Sequence, residues 1–257
     1  MATRIEGRLA VVTGASAGIG AATAMELARH GARLVLGARR TERLEEVRAA
    51  ILGERPGAHV DIAPLDVTDP ASCERFARRA ESHGSVEILV NNAGLARGTD
   101  PVASGREQDW REMFDTNLLG LLRMTRLFLP GMIERRGGTV VQLGSVAGLE
   151  AYPGGAAYCA SKAGVRSITK ALRHELLGTG VRVCNVEPGA VETEFSLVRF
   201  RGDAERAGLV YRGFEPLAPQ DVAEAVVFMV TRPPHVNVEE LVLYPTAQAG
   251  TMAIHRT

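Results

Sequence analysis

Residues 9–20 read "LAVVTGASAGIG", an apolar strand-like run leading straight into a turn with glycines at Gly14, Gly18 and Gly20. A short apolar run that ends in small residues and then opens a helical pattern is the start of a βαβ unit. Small residues let backbone N–H groups approach a bound anion, and the helix N-terminus adds favourable partial charge. The spacing is TGxxxGxG rather than the GxGxxG of many dinucleotide-binding turns, yet the physical demand is similar. Glycine also serves plain tight turns, so the position directly after the first strand carries the reading.

The same alternation continues outward. Further strands are expected at "RLVLG" (33–37), "AHVDIAPL" (58–65), "VEILVN" (86–91), "GTVVQLG" (138–144), "VRVCNVEP" (181–188) and "ELVLYP" (240–245). Most are continuously apolar, as strands of a parallel sheet covered on both faces must be. A helix is expected from near Gly18 to His30-Gly31, the glycine acting as its stop. Asp69-Pro70 reads as an N-cap followed by a first-turn proline. "SGRE" (104–107) fits a capping box opening a long helix toward Arg136. Within "MFDTNLLGLLRMTRLFLPGMI" (113–133) apolar residues cover more than one face, which suits either a subunit interface or a deeply covered helix. With no repeat and no polar linker, residues 1–257 are expected to form a single α/β domain. Its architecture would be a Rossmann-type doubly wound parallel sheet of about seven strands with helices on both faces.

Composition narrows the function classes. Lys+Arg 30 against Asp+Glu 30 leaves no net charge, and the arginine pairs at 39–40, 78–79 and 135–136 form no basic tract, so no nucleic-acid partner is expected. Cys73, Cys159 and Cys184 are odd in number and widely spaced, which fits a reducing compartment; Cys159 is expected only to pack. The six histidines show no ligand spacing, so no metal site is expected. No apolar run approaches membrane-spanning length, and "MATRIEGRLAVVTGA" meets a strand rather than a signal peptide, so a cytoplasmic protein with no membrane partner is expected.

The end of the second strand in such folds reads the adenosine ribose, and an acidic side chain there favours NAD. This chain reads "GARRTERL", with Ala38, Arg39 and Arg40 and no carboxylate. A guanidinium grips a 2′-phosphate with directed hydrogen bonds, so NADP(H) is the expected cofactor. Arg39 is the favoured contact, and Arg40 alternatively faces water. Further on, "GGAAYCASKAG" (154–164) sets Tyr158 four residues before Lys162, on one helical face. Alone, this is equally a core tyrosine beside a solvated lysine. As chemistry it is a base: a phenol with pKa near ~10 becomes useful at neutral pH when a nearby cation favours the phenolate.

In their order and spacing, "TGASAGIG" (13–20), "LDV" (65–67), "NNAG" (91–94), "DTNLLG" (115–120), "GSVAG" (144–148), "YCASK" (158–162) and "EPGAVET" (187–193) resemble the short-chain dehydrogenase/reductase family, in its NADP-dependent division. The resemblance covers essentially the whole chain. It implies hydride transfer between an alcohol and a carbonyl, with Tyr158 as acid/base, Lys162 also binding the nicotinamide ribose, Ser145 holding the substrate oxygen and Asn117 supporting a proton-relay water. For the cofactor it implies contacts at Gly14, Ser16, Gly18, Ile19 and Gly20 in the turn. Asp66 and Val67 would meet the adenine, Asn91, Ala93 and Gly94 its ribose. Pro188, Gly189, Val191 and Thr193 would lie beside the nicotinamide. Asn92 would brace neighbouring strands. Ala17 replaces a basic residue frequent in NADP-binding members, and Gly144 a frequent second serine.

The segment 190–216 is the expected substrate lid, and Arg199, Arg201, Arg206 and Arg212 either pair with a substrate carboxylate or are exposed loop charges. "EFSLVRFRGD" and "RPPHVNVEELVLYPTAQ" (232–248) look closest to the branch acting on small 3-hydroxy acids, including serine and allo-threonine. A 3-oxoacyl-thioester or aldehyde reductase of the same family is the neighbouring alternative. A non-catalytic NADP(H)-binding regulator is the alternative of a different class. The resemblance further implies a homotetramer, or a homodimer, built partly on the long helix.

Overall fold

Seven parallel strands form one sheet in a computed structural model that describes residues 4–257. They are β1 (Leu9–Thr13), β2 (Arg33–Ala38), β3 (Val60–Pro64), β4 (Val86–Asn91), β5 (Gly138–Leu143), β6 (Val181–Pro188) and β7 (Glu240–Leu243), in the order β3-β2-β1-β4-β5-β6-β7. Every pairing is parallel. The helices between them are α1 (Gly18–Arg29), α2 (Thr41–Glu54), α3 (Pro70–Glu81), α4 (Glu107–Phe114), α5 (Leu121–Glu134), α6 (Ala156–Glu175), α7 (Phe195–Arg199), α8 (Ala204–Tyr211) and α9 (Pro219–Val230). The expected single doubly wound domain is what the chain forms.

Continuous apolar strands follow from a sheet buried twice. Side chains alternate across a strand. Val12, Leu34, Leu36, Ile88 and Val90 therefore pack with Leu27 of α1 and Val222 and Val226 of α9. Val11, Val35, Leu89 and Val140 face the other way, onto Phe76 of α3, Met124 and Phe128 of α5 and Leu172 of α6. Burying each large side chain stabilises the fold by roughly 1.5–3 kcal/mol.

Local signals mostly act as read. Gly31 takes φ +86 just beyond α1, and the Asp69 carboxylate accepts from the Ala71 N–H at 2.9 Å ahead of Pro70. The long helix differs. Ser104 turns its hydroxyl back toward the Pro101 carbonyl, so it caps nothing, and α4 starts three residues later with Arg106 at its N-cap. Between α4 and α5 the residues Asp115–Gly120 form a π-helical segment. Such wide turns usually mark a local functional demand. Here the Asn117 amide leaves the helix to bond the main chain after β4.

The order of strands reverses between β1 and β4, and open parallel sheets bind ligands outside the strand ends at such a switch point. Among the described residues, no helix is long and apolar enough to cross a membrane.

Candidate active site

A cleft of about 1150 Å³ opens at the carboxyl ends of the strands. At one end lies the glycine turn. Gly14 has φ +65, and a Cβ there would come within 2.9 Å of the Ala93 Cα and the Asn92 amide nitrogen. Ser16, Gly18 and Ile19 line the cleft beside it. Gly20 does not. A Cβ on Gly20 would strike the Asn92 amide and the Gly14 carbonyl, so this glycine makes room for a strand brace rather than for a ligand. That brace is as expected: Asn92 Nδ2 donates to the carbonyls of Thr13 and Gly14 at 2.9 and 3.1 Å.

Arg39 and Arg40 both line the cleft beyond the turn. Arg39 is exposed and forms no hydrogen bond or ion pair among the described residues. Arg40 does not simply face water: it pairs with Glu194 at 2.9 Å and donates to the Ser16 hydroxyl at 3.4 Å. Asp66 and Val67 form the adjacent wall. Burial pushes the Asp66 carboxyl up, but hydrogen bonds from Thr68 outweigh it and hold the group below its usual range. Ala93 and Gly94 follow along the floor, while Asn91 departs from expectation. Its side chain points into the core, where Nδ2 donates to Thr125 Oγ1 and Gln142 Oε1, both at 2.9 Å. Pro188, Gly189, Val191 and Thr193 line the opposite side.

At the deep end, α6 brings Tyr158 and Lys162 to the tip of β5, where Ser145 sits. Both α6 side chains are buried, with Lys162 Nζ 5.9 Å from the centre of the Tyr158 ring. The ammonium donates to the Leu143 carbonyl at 2.7 Å. Burial dominates both groups. It pushes the Tyr158 phenol well above its ordinary value, with the neighbouring Ser145 hydroxyl and the charge of Arg199 pulling back. It drives Lys162 down to about 8, with Glu187 opposing. The expected lowering of the phenol by Lys162 is therefore reversed in this state: the desolvated site favours the neutral form of each group. Asn117 lies behind the cleft rather than in it. Its Oδ1 accepts from the Leu95 N–H and its Nδ2 donates to the Leu95 carbonyl, both at 2.9 Å, and to Ser161 Oγ at 3.0 Å.

The segment after Thr193 folds as α7 and α8 across the cleft and is tied to the loop after β4. Arg97 makes a two-pronged bond to Glu112 and reaches the Val198 carbonyl at 2.7 Å, while Arg201 pairs with Asp109. Of the four arginines read as possible carboxylate contacts, Arg206 stacks on Phe200 and Arg212 is absent from the cleft wall. Arg199 alone sits over the reacting end, 5.5 Å from the ring centres of both Tyr152 and Tyr158. It donates to the Gly98 carbonyl and the Tyr152 hydroxyl, and among the described residues no carboxylate pairs with it. Tyr152, Arg97 and Glu187 escaped the sequence reading. Only the aromatic in the glycine- and proline-rich loop before Tyr158 offered a signal.

The family model for short chain dehydrogenases matches residues 8–202. The chain is 39% identical over 258 residues to the NADP-dependent 3-hydroxy acid dehydrogenase of Schizosaccharomyces pombe, covering 99% of this chain and 98% of that protein. It is 41% identical over 251 residues to the NADP-dependent 3-hydroxy acid dehydrogenase YdfG of Escherichia coli K12, covering 96% and 99%. Among solved structures, the closed form of a serine dehydrogenase complexed with NADP+ superposes with a TM-score of 0.89 at 42% identity, over 97% of this chain and all of that one. With the glycine turn at the switch point and the Tyr158–Lys162 pair at the tip of β5, the protein belongs to the short chain dehydrogenase family.

Proposed function

We propose that this protein is an NADP(H)-dependent oxidoreductase interconverting a small 3-hydroxy acid and its carbonyl compound, with Tyr158 as acid and base. The observation that carries the reading is the buried Tyr158 phenol at the closed end of the cleft, where Ser145 and Tyr158 both line the wall and Lys162 Nζ lies 5.9 Å from the ring centre. Relatives named for NADP and 3-hydroxy acids support the cofactor and the substrate class. A non-catalytic regulator has no need of a desolvated phenol beside a serine.

The chain's own residues fit the cofactor. Gly14, Ser16, Gly18 and Ile19 line the cleft at the glycine turn, and the unpaired Arg39 guanidinium at the far end suits a 2′-phosphate. When bound, NADPH supplies the hydride to the carbonyl carbon and NADP+ accepts it in the reverse direction. In reduction, Ser145 holds the carbonyl oxygen and Tyr158 donates its proton to it, giving the hydroxyl. The raised phenol keeps that proton available at neutral pH. In oxidation the phenolate takes the hydroxyl proton, and a charged Lys162 stabilises it. Thr193, Val191 and Gly189 form the wall beside the reacting carbon, and α7 and α8 act as the lid that excludes water.

Arg199 would anchor the substrate carboxylate. No acidic group is paired with it: its partners are a carbonyl, a phenol and two aromatic faces. A homotetramer, or homodimer, is supported by the half-exposed apolar residues Phe114, Leu119, Leu122 and Ile133 along the long helical segment. Three buried, unpaired cysteines support a cytoplasmic setting.

Tyr158→Phe is expected to keep NADPH binding, measured by fluorescence, and to lose about 100-fold or more of kcat; unchanged turnover would refute the mechanism. NADPH should be preferred over NADH, and Arg39→Ala should cut that preference by about tenfold or more, as loss of charge-assisted bonds requires. With 3-oxopropanoate and the uncharged propanal as paired substrates, Arg199→Ala should raise KM for the acid about tenfold or more and change propanal little. Equal loss on both would end the anchoring role. Light scattering should give a mass of two or four chains, and a monomer would count against the interface.

A further inference from the structure

Glu187 is fully buried, at the penultimate position of β6, directly behind the strand tip that carries Ser145. Its Oε2 accepts the Ser145 N–H at 2.7 Å, and its Oε1 accepts from Asn185 Nδ2 at 2.5 Å. The tip of β5 is also held by Gly144 N–H to the Val186 carbonyl at 2.8 Å, Gly148 N–H to the Ser145 carbonyl at 2.7 Å and Lys162 to the Leu143 carbonyl at 2.7 Å. A carboxyl group so placed is costly to bury and does nothing for strand pairing, which uses the main chain. Its neighbours are shaped around it. A Cβ on Gly144 would meet Glu187 Oε2 at 2.6 Å and Asn185 Oδ1 at 2.8 Å, so the buried carboxylate leaves no room for a side chain there.

We propose that Glu187 is the positioning residue of this active site: its carboxylate fixes the Ser145 main chain and is the counter-charge to the Lys162 ammonium. The groups facing it are Lys162 and Arg166 of α6, Ser145, Asn185, Glu240 of β7, and Tyr244 beyond it. Glu240 is already bonded twice by Arg166, at 2.8 and 3.1 Å, which leaves Lys162 as the cation without another acidic partner. Burial pushes Glu187 up to about 7 and Lys162 down to about 8, and each charge pulls the other back toward ionisation. The ammonium therefore depends on that carboxylate to hold its proton as pH climbs. In reduction, the high-pH limb then reports Lys162 and its counter-charge.

Glu187→Gln isolates the charge. The amide oxygen still accepts the Ser145 N–H, and Asn185, whose Oδ1 has no partner among the described residues, turns over to accept from the new amide. With 3-oxopropanoate and NADPH, this variant should lower kcat and move the high-pH limb of kcat/KM down by about half a unit or more. NADPH affinity should hold within about threefold, because Glu187 lies behind the cleft rather than in it. Glu187→Ala, which also frees the Ser145 N–H, should lose about 100-fold in kcat. A Glu187→Gln enzyme with wild-type kcat and pH profile overturns the proposal. The proposal rests on the catalytic reading of Ser145, Tyr158 and Lys162, and Tyr158→Phe separates the two. A fully active Tyr158→Phe enzyme defeats that reading, whereas an inactive one beside an unaltered Glu187→Gln enzyme defeats only the role of Glu187.

Discussion

The bonds between Thr13 at the end of β1 and the Asn92 segment at the end of β4 set where the sheet opens. Thr13 Oγ1 accepts the N–H groups of Asn92 and Ala93 at 3.1 and 3.0 Å, and the Asn92 amide answers on the carbonyls of Thr13 and Gly14. These four bonds stitch the two strands at the last point before their connections leave on opposite faces. Everything in the cleft is measured from that stitch. Gly14 must be left-handed to turn away from it, Gly20 must lack a side chain to let the Asn92 amide in, and Gly94 passes beneath Asn117 toward Lys162. A ligand at the glycine turn and a reaction at Ser145 are therefore referred to one rigid edge.

The second governing constraint is desolvation. Tyr158, Lys162 and Glu187 are ionisable groups placed where water is scarce, and burial drives each toward neutrality. A lone lysine in such a place would shed its proton readily. The tip of β5 answers structurally, by giving the ammonium the Leu143 carbonyl on one side and facing it with a carboxylate from β6. A phenol that stays protonated suits a proton donor to a carbonyl. The reverse reaction needs the phenolate, and there the charge on Lys162 matters most.

Much of this was legible because it is written in periodicity. β1, β4 and β6 begin and end where their apolar runs do, and the remaining strands differ by a residue or two at their ends. The Tyr158–Lys162 pair is readable because a helix fixes what lies four residues apart. The misreadings have a common cause, since side-chain direction in loops and at strand ends depends on tertiary partners. Asn91 and Asn92 are adjacent amides, yet one enters the core to meet Thr125 and Gln142 while the other braces β1. Ser104 has the sequence of a capping residue but bonds backward to Pro101. Glu187 sits in a run that reads simply as apolar strand, and only the pairing of β5 with β6 brings it to Ser145.

The arginines around the reacting end of the cleft show how one charge is kept available while others are spent on shape. Arg97 is tied to Glu112 and reaches the Val198 carbonyl, Arg201 is tied to Asp109 and Arg40 to Glu194, so these contacts hold the 194–201 segment against the body of the domain. Paired this way, those guanidiniums offer little net field to an incoming anion. Arg199 lies among them but is held by neutral groups, which orient its guanidinium without cancelling it. Unlike charges attract more strongly in a poorly hydrated cleft than in water. A single uncompensated cation over Tyr158 would, in the proposed function, select for an anionic substrate, and the same charge draws the phenol back toward ionisation. Substrate choice and proton transfer meet at one side chain, which ties the composition of the lid to the chemistry beneath it.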